Sequence, residues 1–437
     1  MHRRKNLARR FTLPAPLLIG VLLLLAACSA PPRGSAGPLS VQAAQAGPTR
    51  PAPSPALPPT QTITPSPAPS LTPTVTLTPT PTVTPTITTV PLALDHLQGI
   101  TPENAARLAR LARIIRGVGQ APDGFALSPD GRMLAFGSGQ VVRLWDIREG
   151  QVVRELLPPA SYTATTSGGA LAFSPDGTRL ARIYAPNRVV AWSTQTGEVT
   201  LETGEPALTQ ALAGLAYAGS GKTLRLVASG LVSGQPGMVF WDATSGDLLT
   251  ARPSGAAMPG SFVVSPNGRM VVQAGQDGVV RFWNGLTGQP AGQQIIYACP
   301  DSLLSARFNG SGGLLALACD GASDTQAKLQ IFFYSPNYYR PDAMSLFKVF
   351  RSNSASSGLV AFTADSALLA VTSGNTQVGS RANQLELWGF YTQRREVTLS
   401  LVLQDVLQIE FSRDGKLMVL SLSDGSLEIW GVPSAQS

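Results

Sequence analysis

From about residue 105 onward, short apolar runs of four to eight residues alternate with polar turns that contain Gly, Asp or Asn. In the clearest copy, Leu127–Gly131 has the sequence Leu-Ser-Pro-Asp-Gly. An apolar run follows, and then Val141–Asp146, which is Val-Val-Arg-Leu-Trp-Asp. Apolar runs of this length between such turns predict β-strands. Asp-Gly and Asn-Gly supply the positive φ angles of tight hairpins, so adjacent strands should pair.

This unit is repeated along the chain. Aligned on the last turn residue, seven copies end at residues 131, 177, 221, 268, 312, 366 and 415, a spacing of 44 to 54 residues. A period in the forties with several short strands predicts one four-stranded sheet per copy. Such a sheet cannot bury both faces by itself. The copies are therefore expected to pack radially around an axis as a β-propeller.

The third predicted strand carries a family resemblance. Trp145-Asp146, Trp241-Asp242 and the Gly-containing turns after them resemble the third strand and following turn of WD40 repeats. The resemblance covers about residues 105–432, with four good copies and three degenerate ones. The Gly-His dipeptide that opens most WD40 repeats is absent from every copy. The resemblance implies an all-β, seven-bladed propeller.

The two ends of the repeat region are expected to meet. The last copy stops at Trp430-Gly431-Val432 and has no fourth strand. In WD40 proteins an N-terminal segment supplies the missing outer strand, so the resemblance implies this role for residues 109–116. Thr101-Pro102-Glu103 predicts a short helix near 102–108. The alternative is a longer helix that places Arg107, Arg110 and Arg113 on a basic face against anionic lipid.

The N-terminus predicts export and a lipid anchor. Basic residues precede the apolar run Leu17–Leu25, which is shorter than the about 20 residues of a spanning helix. Leu25-Ala26-Ala27-Cys28 resembles the bacterial lipobox. The resemblance implies that residues 1–27 are a lipoprotein signal peptide. Cys28 would then carry the lipid that holds the protein outside the cytoplasm, at the cell membrane or at an outer membrane. An uncleaved signal anchor is the alternative.

Residues 28–94 are dominated by Pro, Thr, Ser and Ala, with tandem Thr-Pro pairs. This composition predicts a disordered, extended linker, because it offers too few apolar side chains for a core. The linker is either a stalk, with or without glycosylation, or an inert tether. The propeller domain is then expected over residues 95–437.

Charge and histidine content exclude several function classes. The net charge of +7 comes from five basic residues in the first 27 and from Arg33 and Arg50, so the chain from Asp95 onward is neutral. We therefore expect no nucleic acid partner. His2 and His96 are the two histidines, so the repeats contain no His-based triad or metal site. No cofactor is expected, and no local motif indicates an enzyme.

Ala218–Thr223 resembles the end of a phosphate-binding loop, but Ala216 stands where such loops need their first Gly. The stretch is also in register with the Ser-Pro-Asp-Gly turns. We interpret it as a turn between strands. Asp130, Asp176 and Asp414 are likewise interpreted as turn formers rather than catalytic acids.

The WD40 resemblance suggests a structural role for two cysteines. Cys299 and Cys319 occupy positions where the family places the His of Gly-His and a Ser that contacts it. The resemblance thus implies that the two thiols are neighbours. Outside the cytoplasm neighbouring thiols should form a disulfide. Two small buried apolar side chains are the alternative.

The loops between the second and third strands are long in copies three, five and six, at residues 229–237, 320–328 and 373–384. Long loops on one face of a rigid scaffold are typical of binding sites. The candidate partner-binding residues in these loops are Asp320, Asp324, Gln377, Arg381 and Asn383.

The predicted function is a protein-binding or assembly scaffold whose partner and oligomeric state are left open. The alternative is a hydrolase or lyase acting on an extracellular polymer. That alternative would need carboxylates that converge in an axial funnel.

Overall fold

The computed structural model describes residues 94–115, 124–160, 162, 170–184, 187–204, 209–255, 262–275, 277–291, 303–319, 328–333, 345–351, 357–375, 380–401 and 405–434. They belong to one unit of the chain, Pro79–Ser437. Within these residues the helices are three short 3₁₀ turns at Leu94–His96, Ala105–Arg107 and Gly221–Thr223. None of the described helices has the length and apolar character needed to cross a bilayer.

Two strands precede the repeats, and the first three copies each form one antiparallel sheet of four consecutive strands. The preceding strands are β1 (Leu97–Gln98) and β2 (Ala109–Ile114). The strands of these three sheets are β3 (Phe125–Leu127), β4 (Met133–Ser138), β5 (Val141–Asp146), β6 (Gln151–Leu156), β7 (Leu171–Phe173), β8 (Arg179–Tyr184), β9 (Arg188–Ser193), β10 (Val199–Thr203), β11 (Thr209–Ala218), β12 (Arg225–Val232), β13 (Gln235–Asp242) and β14 (Leu248–Pro253).

The next three copies also form sheets from consecutive strands, and the fourth sheet has three strands. These strands are β15 (Phe262–Val264), β16 (Met270–Ala274), β17 (Val280–Asn284), β18 (Leu303–Phe308), β19 (Leu314–Cys319), β20 (Lys328–Phe333), β21 (Ser345–Arg351), β22 (Ser357–Phe362), β23 (Leu368–Asn375), β24 (Ser380–Gly389) and β25 (Arg395–Ser400). The last copy contributes β26 (Val406–Phe411), β27 (Leu417–Leu422) and β28 (Leu427–Pro433).

The repeated turn closes on its own side chains. The Ser128 hydroxyl donates to the Asp130 carboxylate at 2.5 Å, and the Arg132 N–H donates to the same oxygen at 3.1 Å. Gly131 then has a φ of 71°, which favours glycine. The same contacts recur at Ser174–Asp176 and Ser412–Asp414. The interpretation of these aspartates as turn formers is confirmed.

The stretch that resembles a phosphate-binding loop is also a turn. Ala218 ends β11, the 3₁₀ helix Gly221–Thr223 follows, and β12 begins at Arg225. The Gly219 N–H donates to the Gly268 carbonyl of the next copy at 2.9 Å. The interpretation of this stretch as a turn between strands is confirmed.

Apolar clusters between neighbouring sheets close the structure into a ring. Leu144 of the first sheet packs in one cluster with Trp192 of the second, and comparable clusters lie between later sheets. A further cluster joins Phe125 of the first sheet with Val419 and Ile429 of the last. The first strands of successive sheets contact one another, so they line the ring axis.

The expectation of a seven-bladed propeller is corrected by the strand pairing. Six sheets consist of consecutive strands of the described chain, five with four strands and the fourth with three. The last copy has three strands, and its edge strand β28 pairs with both β2 and β1. An uncovered edge would leave backbone N–H and C=O groups unpaired, and the N-terminal strands satisfy them. The last sheet is therefore a composite of both ends of the repeat region.

The prediction of a closing strand is confirmed, and its alternative, a longer basic helix, is wrong. β2 pairs antiparallel with β28 from Ala109 opposite Gly431 to Ile114 opposite Leu427. The helix before it is limited to Ala105–Arg107. Arg110 lies in β2 and forms an ion pair with Glu428 at 2.8 Å. The three arginines thus do not form a helical face for lipid.

Two of the predicted long loops are paired hairpins. In copy three, residues 229–237 continue β12 and β13, with Gly230 opposite Gly237 and Val232 opposite Gln235. Ser233 and Gly234 both have positive φ, at 51° and 76°, which matches a two-residue turn that prolongs a ladder. In copy six, Ser373 pairs with Gln384 and Asn375 with Ser380. Residues 320–327 of copy five lie outside the described part.

Candidate functional site

A cavity of about 260 Å³ lies at the ring axis, beside the ends of the inner strands β3, β18, β22 and β26. Its wall includes the apolar side chains of Leu127, Phe308 and Phe362. Three charged side chains also line it: Arg307 of β18, Glu410 of β26 and Arg413, which follows β26. Charged groups near the centre of a propeller are the first candidates for a binding or catalytic role.

Arg307 has few partners. Its Nη1 donates to the Ala306 carbonyl at 3.1 Å, and this is its one hydrogen bond among the described residues. Burial lowers the pKa of Arg307, and the negative charge of Glu410 opposes that fall. An arginine still remains charged in a protein, so the cavity contains a guanidinium with unused donors.

Glu410 is held by hydrogen bonds to the first sheet and to its own strand. The Leu127 N–H donates to Oε2 at 3.1 Å, and Gln408 Nε2 donates to Oε1 at 2.9 Å. Gln408 also bonds both backbone groups of Phe125, at 3.2 and 2.8 Å. β26 therefore binds the inner edge of β3 through side chains, and Glu410 helps to join the last sheet to the first.

Burial raises the pKa of Glu410, although Arg307 and the bonds from Leu127 and Gln408 oppose the rise. A carboxyl with a raised folded pKa binds its proton more tightly when folded. Its contribution to the unfolding free energy is therefore full below the unfolded pKa of about 4.3 and is lost as the pH rises through the folded pKa.

We expect Glu410→Gln to remove this pH dependence. The unfolding free energy of the wild type minus that of the variant should fall as the pH rises above about 4.3. Urea denaturation followed by tryptophan fluorescence at several pH values measures that difference. A difference that stays constant across the range would contradict the assignment. Groups common to both proteins cancel in the comparison.

The sequence contains a signal for both Arg307 and Glu410. They occupy the same position in their copies, directly before the aromatic residue that opens the turn. The other five copies have a small apolar residue at this position: Ala126, Ala172, Ala216, Val263 and Ala361. A charged side chain in an otherwise apolar column of aligned repeats indicates a role outside the ordinary core.

Of the predicted site residues, three lie in described strands. Arg381 and Asn383 are both in β24. Cys319 ends β19. Cys28, Cys299, Asp320, Asp324 and Gln377 fall outside the described residues. The disulfide, the lipid on Cys28 and the partner contacts stay predictions.

The described residues offer no metal site, since no group of three or more His, Cys, Asp or Glu side chains comes together in them. The axial cavity wall contains one carboxylate, that of Glu410. A neighbouring cavity of about 650 Å³ lies between the turns of the first two sheets and shares Ser128, Pro129 and Arg413 with the axial one.

Comparison with known proteins supports the fold. The structure is similar to the crystal structure of the beta-propeller domain of Myceliophteria thermophila Cps50 (Swd1), with a TM-score of 0.59 and 18% sequence identity. The match covers 74% of this chain and 99% of that one. This chain is an all-β propeller. At 18% identity the similarity carries the fold and not the function. No family model and no curated protein matches the sequence.

Proposed function

We propose that this propeller is a lipid-anchored, extracytoplasmic scaffold that binds or assembles proteins. In this proposal the composite sheet of β26, β27, β28 and β2 acts as a seventh blade. The single observation that carries the proposal is the pair of extended hairpins, β12–β13 and β23–β24, on a closed ring. Rigid rings that present prolonged elements on one face are suited to binding other proteins.

The two hairpins project at the same end of the ring. Each joins the second and third strands of its sheet, and the repeated turns join the first and second strands at the other end. We call the hairpin end, with residues 230–237, 373–375 and 380–384, the hairpin face. The turn end is the turn face. β12 and β13 have 8 residues each, whereas β4 and β5 of the first sheet have 6.

The first of these hairpins is anchored at its base and exposed at its tip. Val232 and Met238 are buried, and Ser233 and Gln235 are exposed. A Cβ at Gly237 would meet the Arg252 carbonyl at 2.4 Å, so the hairpin lies tightly against β14. The tip is therefore held in place by its own sheet, which lowers the entropy cost of binding.

The predicted contacts and attachments complete the proposal. Arg381 and Asn383 belong to β24 of the second hairpin, and the proposed contacts Gln377, Asp320 and Asp324 lie outside the described residues. The lipid on Cys28 and the Pro/Thr-rich linker at residues 28–94 would hold the ring away from the membrane surface. A Cys299–Cys319 disulfide would close a segment at the hairpin face.

The enzyme alternative finds less support. Hydrolysis of a glycosidic polymer by the usual route needs two carboxylates on either side of the scissile bond. The described wall of the axial cavity supplies Glu410, which already accepts two hydrogen bonds. The geometry of the described residues therefore favours binding over this kind of catalysis.

Photo-crosslinking in living cells tests the scaffold function. Gln235 and Gln195 are both exposed glutamines, one on the hairpin face and one in a turn of the second sheet on the turn face. A benzophenone amino acid at position 235 of the full-length protein should give discrete protein adducts, and one at 195 should not. Replacing residues 231–236 by an Asn-Gly turn should remove the partner. Equal adducts from both positions, or none from either, would contradict the proposal.

A further inference from the structure

We propose that the axial cavity binds a small organic carboxylate that carries an apolar group, with Arg307 as its counterion. This goes beyond the scaffold function, because the cavity lies toward the turn face, opposite the hairpins. The observation behind it is a guanidinium in a cavity with several apolar side chains, and the remaining donors of this guanidinium have no acceptor among the described residues.

Among the described residues, the charge of Arg307 has no direct counterion. A guanidinium offers five N–H donors, and Arg307 is half-buried, so its charge is partly removed from bulk water and favours a partner. The described bonds of Arg307 end at the Ala306 carbonyl. A carboxylate is the ligand that best fits the remaining donors, since it accepts two parallel N–H bonds from one guanidinium.

Glu410 does not fill this role. Its two oxygens accept hydrogen bonds from Leu127 and Gln408, which join it to the first sheet. It lines the same cavity as Arg307 and influences it through space, without a direct ion pair among the described contacts. A ligand carboxylate could therefore bind Arg307 while Glu410 keeps its bonds to the first sheet.

The rest of the cavity sets the size and character of the ligand. Phe308, Phe362 and Ile409 contribute apolar surface, so a purely inorganic anion would leave that surface unmatched. The volume of about 260 Å³ is at the small end of ligand pockets, which run from about 300 to 1,000 Å³. A carboxylate with a single ring or a short alkyl chain is the class that fits.

The ligand enters from the turn face in this proposal, because Arg413 is exposed and lines both the axial cavity and the larger one between the first two sheets. A second guanidinium at the rim also makes the entrance attractive to anions. The aligned position of Arg413 is Pro or another uncharged residue in the other copies, for example Pro129 and Pro266.

Ligand-observed fluorine NMR on the full-length protein in detergent tests the proposal. The probes are 4-fluorobenzoate and, as its uncharged analogue, 4-fluorobenzyl alcohol. We expect saturable binding of the benzoate and much weaker binding of the alcohol. Arg307→Gln should weaken benzoate binding about tenfold or more, because it removes a charge-assisted hydrogen-bonded pair. Arg307→Lys keeps the charge without the fork and should give an intermediate loss.

The matched control is Arg269→Gln, which changes an exposed arginine in the turn of the fourth sheet. It should bind benzoate as the wild type does. A second variant, Ala361→Leu, keeps Arg307 and places extra volume in the cavity wall, so it should abolish benzoate binding. It tests the site independently if Arg307→Gln destabilises the ring. Circular dichroism reports the folding of each variant.

Equal binding of the two probes, or unchanged affinity in Arg307→Gln, would overturn the proposal. So would the absence of binding to the wild type. Inorganic phosphate that displaces benzoate at equal concentration would identify a simple anion site and overturn the apolar part.

Discussion

A chain that lacks residues 94–115 should fail to form a stable ring, and a peptide of that sequence should restore it when added separately. The reason is the position of β2. Its removal uncovers the edge of β28 and takes Ile114 out of the cluster that joins the first and last sheets, where it is 1% exposed. Leu97 and Leu111 leave the same cluster.

The expected loss is large. Burial of one such aliphatic side chain contributes about 1.5–3 kcal/mol, and three are removed together with a strand of backbone hydrogen bonds. That sum is comparable with the total stability of most proteins, about 5–15 kcal/mol. The deleted chain should therefore unfold at a much lower denaturant concentration, measured by tryptophan fluorescence.

The peptide provides the decisive comparison. Residues 94–115 added in trans should raise the denaturation midpoint with a saturable dependence on concentration. A peptide with Ile114→Asp should not, because it brings a charge into the apolar cluster. A chain lacking residues 1–93 keeps every described residue and should unfold like the full chain. An unchanged midpoint after deletion of 94–115 would show that β2 does not hold the ring closed.

Glu428→Ala should destabilise the ring by about 2–4 kcal/mol and loosen β2 in particular. Glu428 is 2% exposed. It accepts a bond from the Trp430 indole at 3.0 Å and one from Arg110 of β2 at 2.8 Å. Arg110 is half exposed, so water can solvate it after the change. The loss therefore comes mainly from the two charge-assisted hydrogen bonds.

The chain contains a matched control for this prediction. Glu386 lies at the same place in the sixth sheet and bonds Trp388 at 2.9 Å and Arg395 at 3.1 Å. In both sheets the arginine is paired in register with the tryptophan. The difference is that Arg395 lies in β25, the fourth strand of the same copy, whereas Arg110 comes from the other end of the repeats.

The two variants should therefore differ in which strand loses its protection from hydrogen exchange. Glu386→Ala should cost a similar free energy and increase hydrogen exchange in β25. Glu428→Ala should increase exchange in β2 and leave β25 unchanged. Denaturant titration gives the free energies, and exchange followed by mass spectrometry gives the location. Normal protection of β2 in Glu428→Ala would contradict the role of this ion pair in closure.

Several features could be predicted because they are local. The Ser128–Asp130 turn is built from side chains two residues apart, so its motif indicates it wherever it occurs. Counting strands was enough to predict that the segment at 109–116 completes the last sheet, because an uncovered edge is unfavourable. The lipobox, the linker and the cysteine pair can also be recognised in the sequence, and they remain predictions.

Other features were missed because they depend on distant partners. Residues 229–237 contain Gly and Ser and were expected to be a loop, but the pairing of Gly230 with Gly237 makes them a hairpin. The basic helix, which was the alternative to the closing strand, is excluded for a related reason: the open edge of β28 offers backbone hydrogen bonds that a surface helix could not match.

The sequence by itself determined the repeat, the turns, the apolar strands and the closing segment, since each depends on interactions within one copy or on the number of strands available. The tertiary structure alone decided that Arg307 and Glu410 share one cavity. They belong to sheets that are not neighbours and meet only because the ring brings its inner strands around a common axis. Side chains at that axis come into contact only when the ring closes, and the sequence of a single repeat does not specify those contacts.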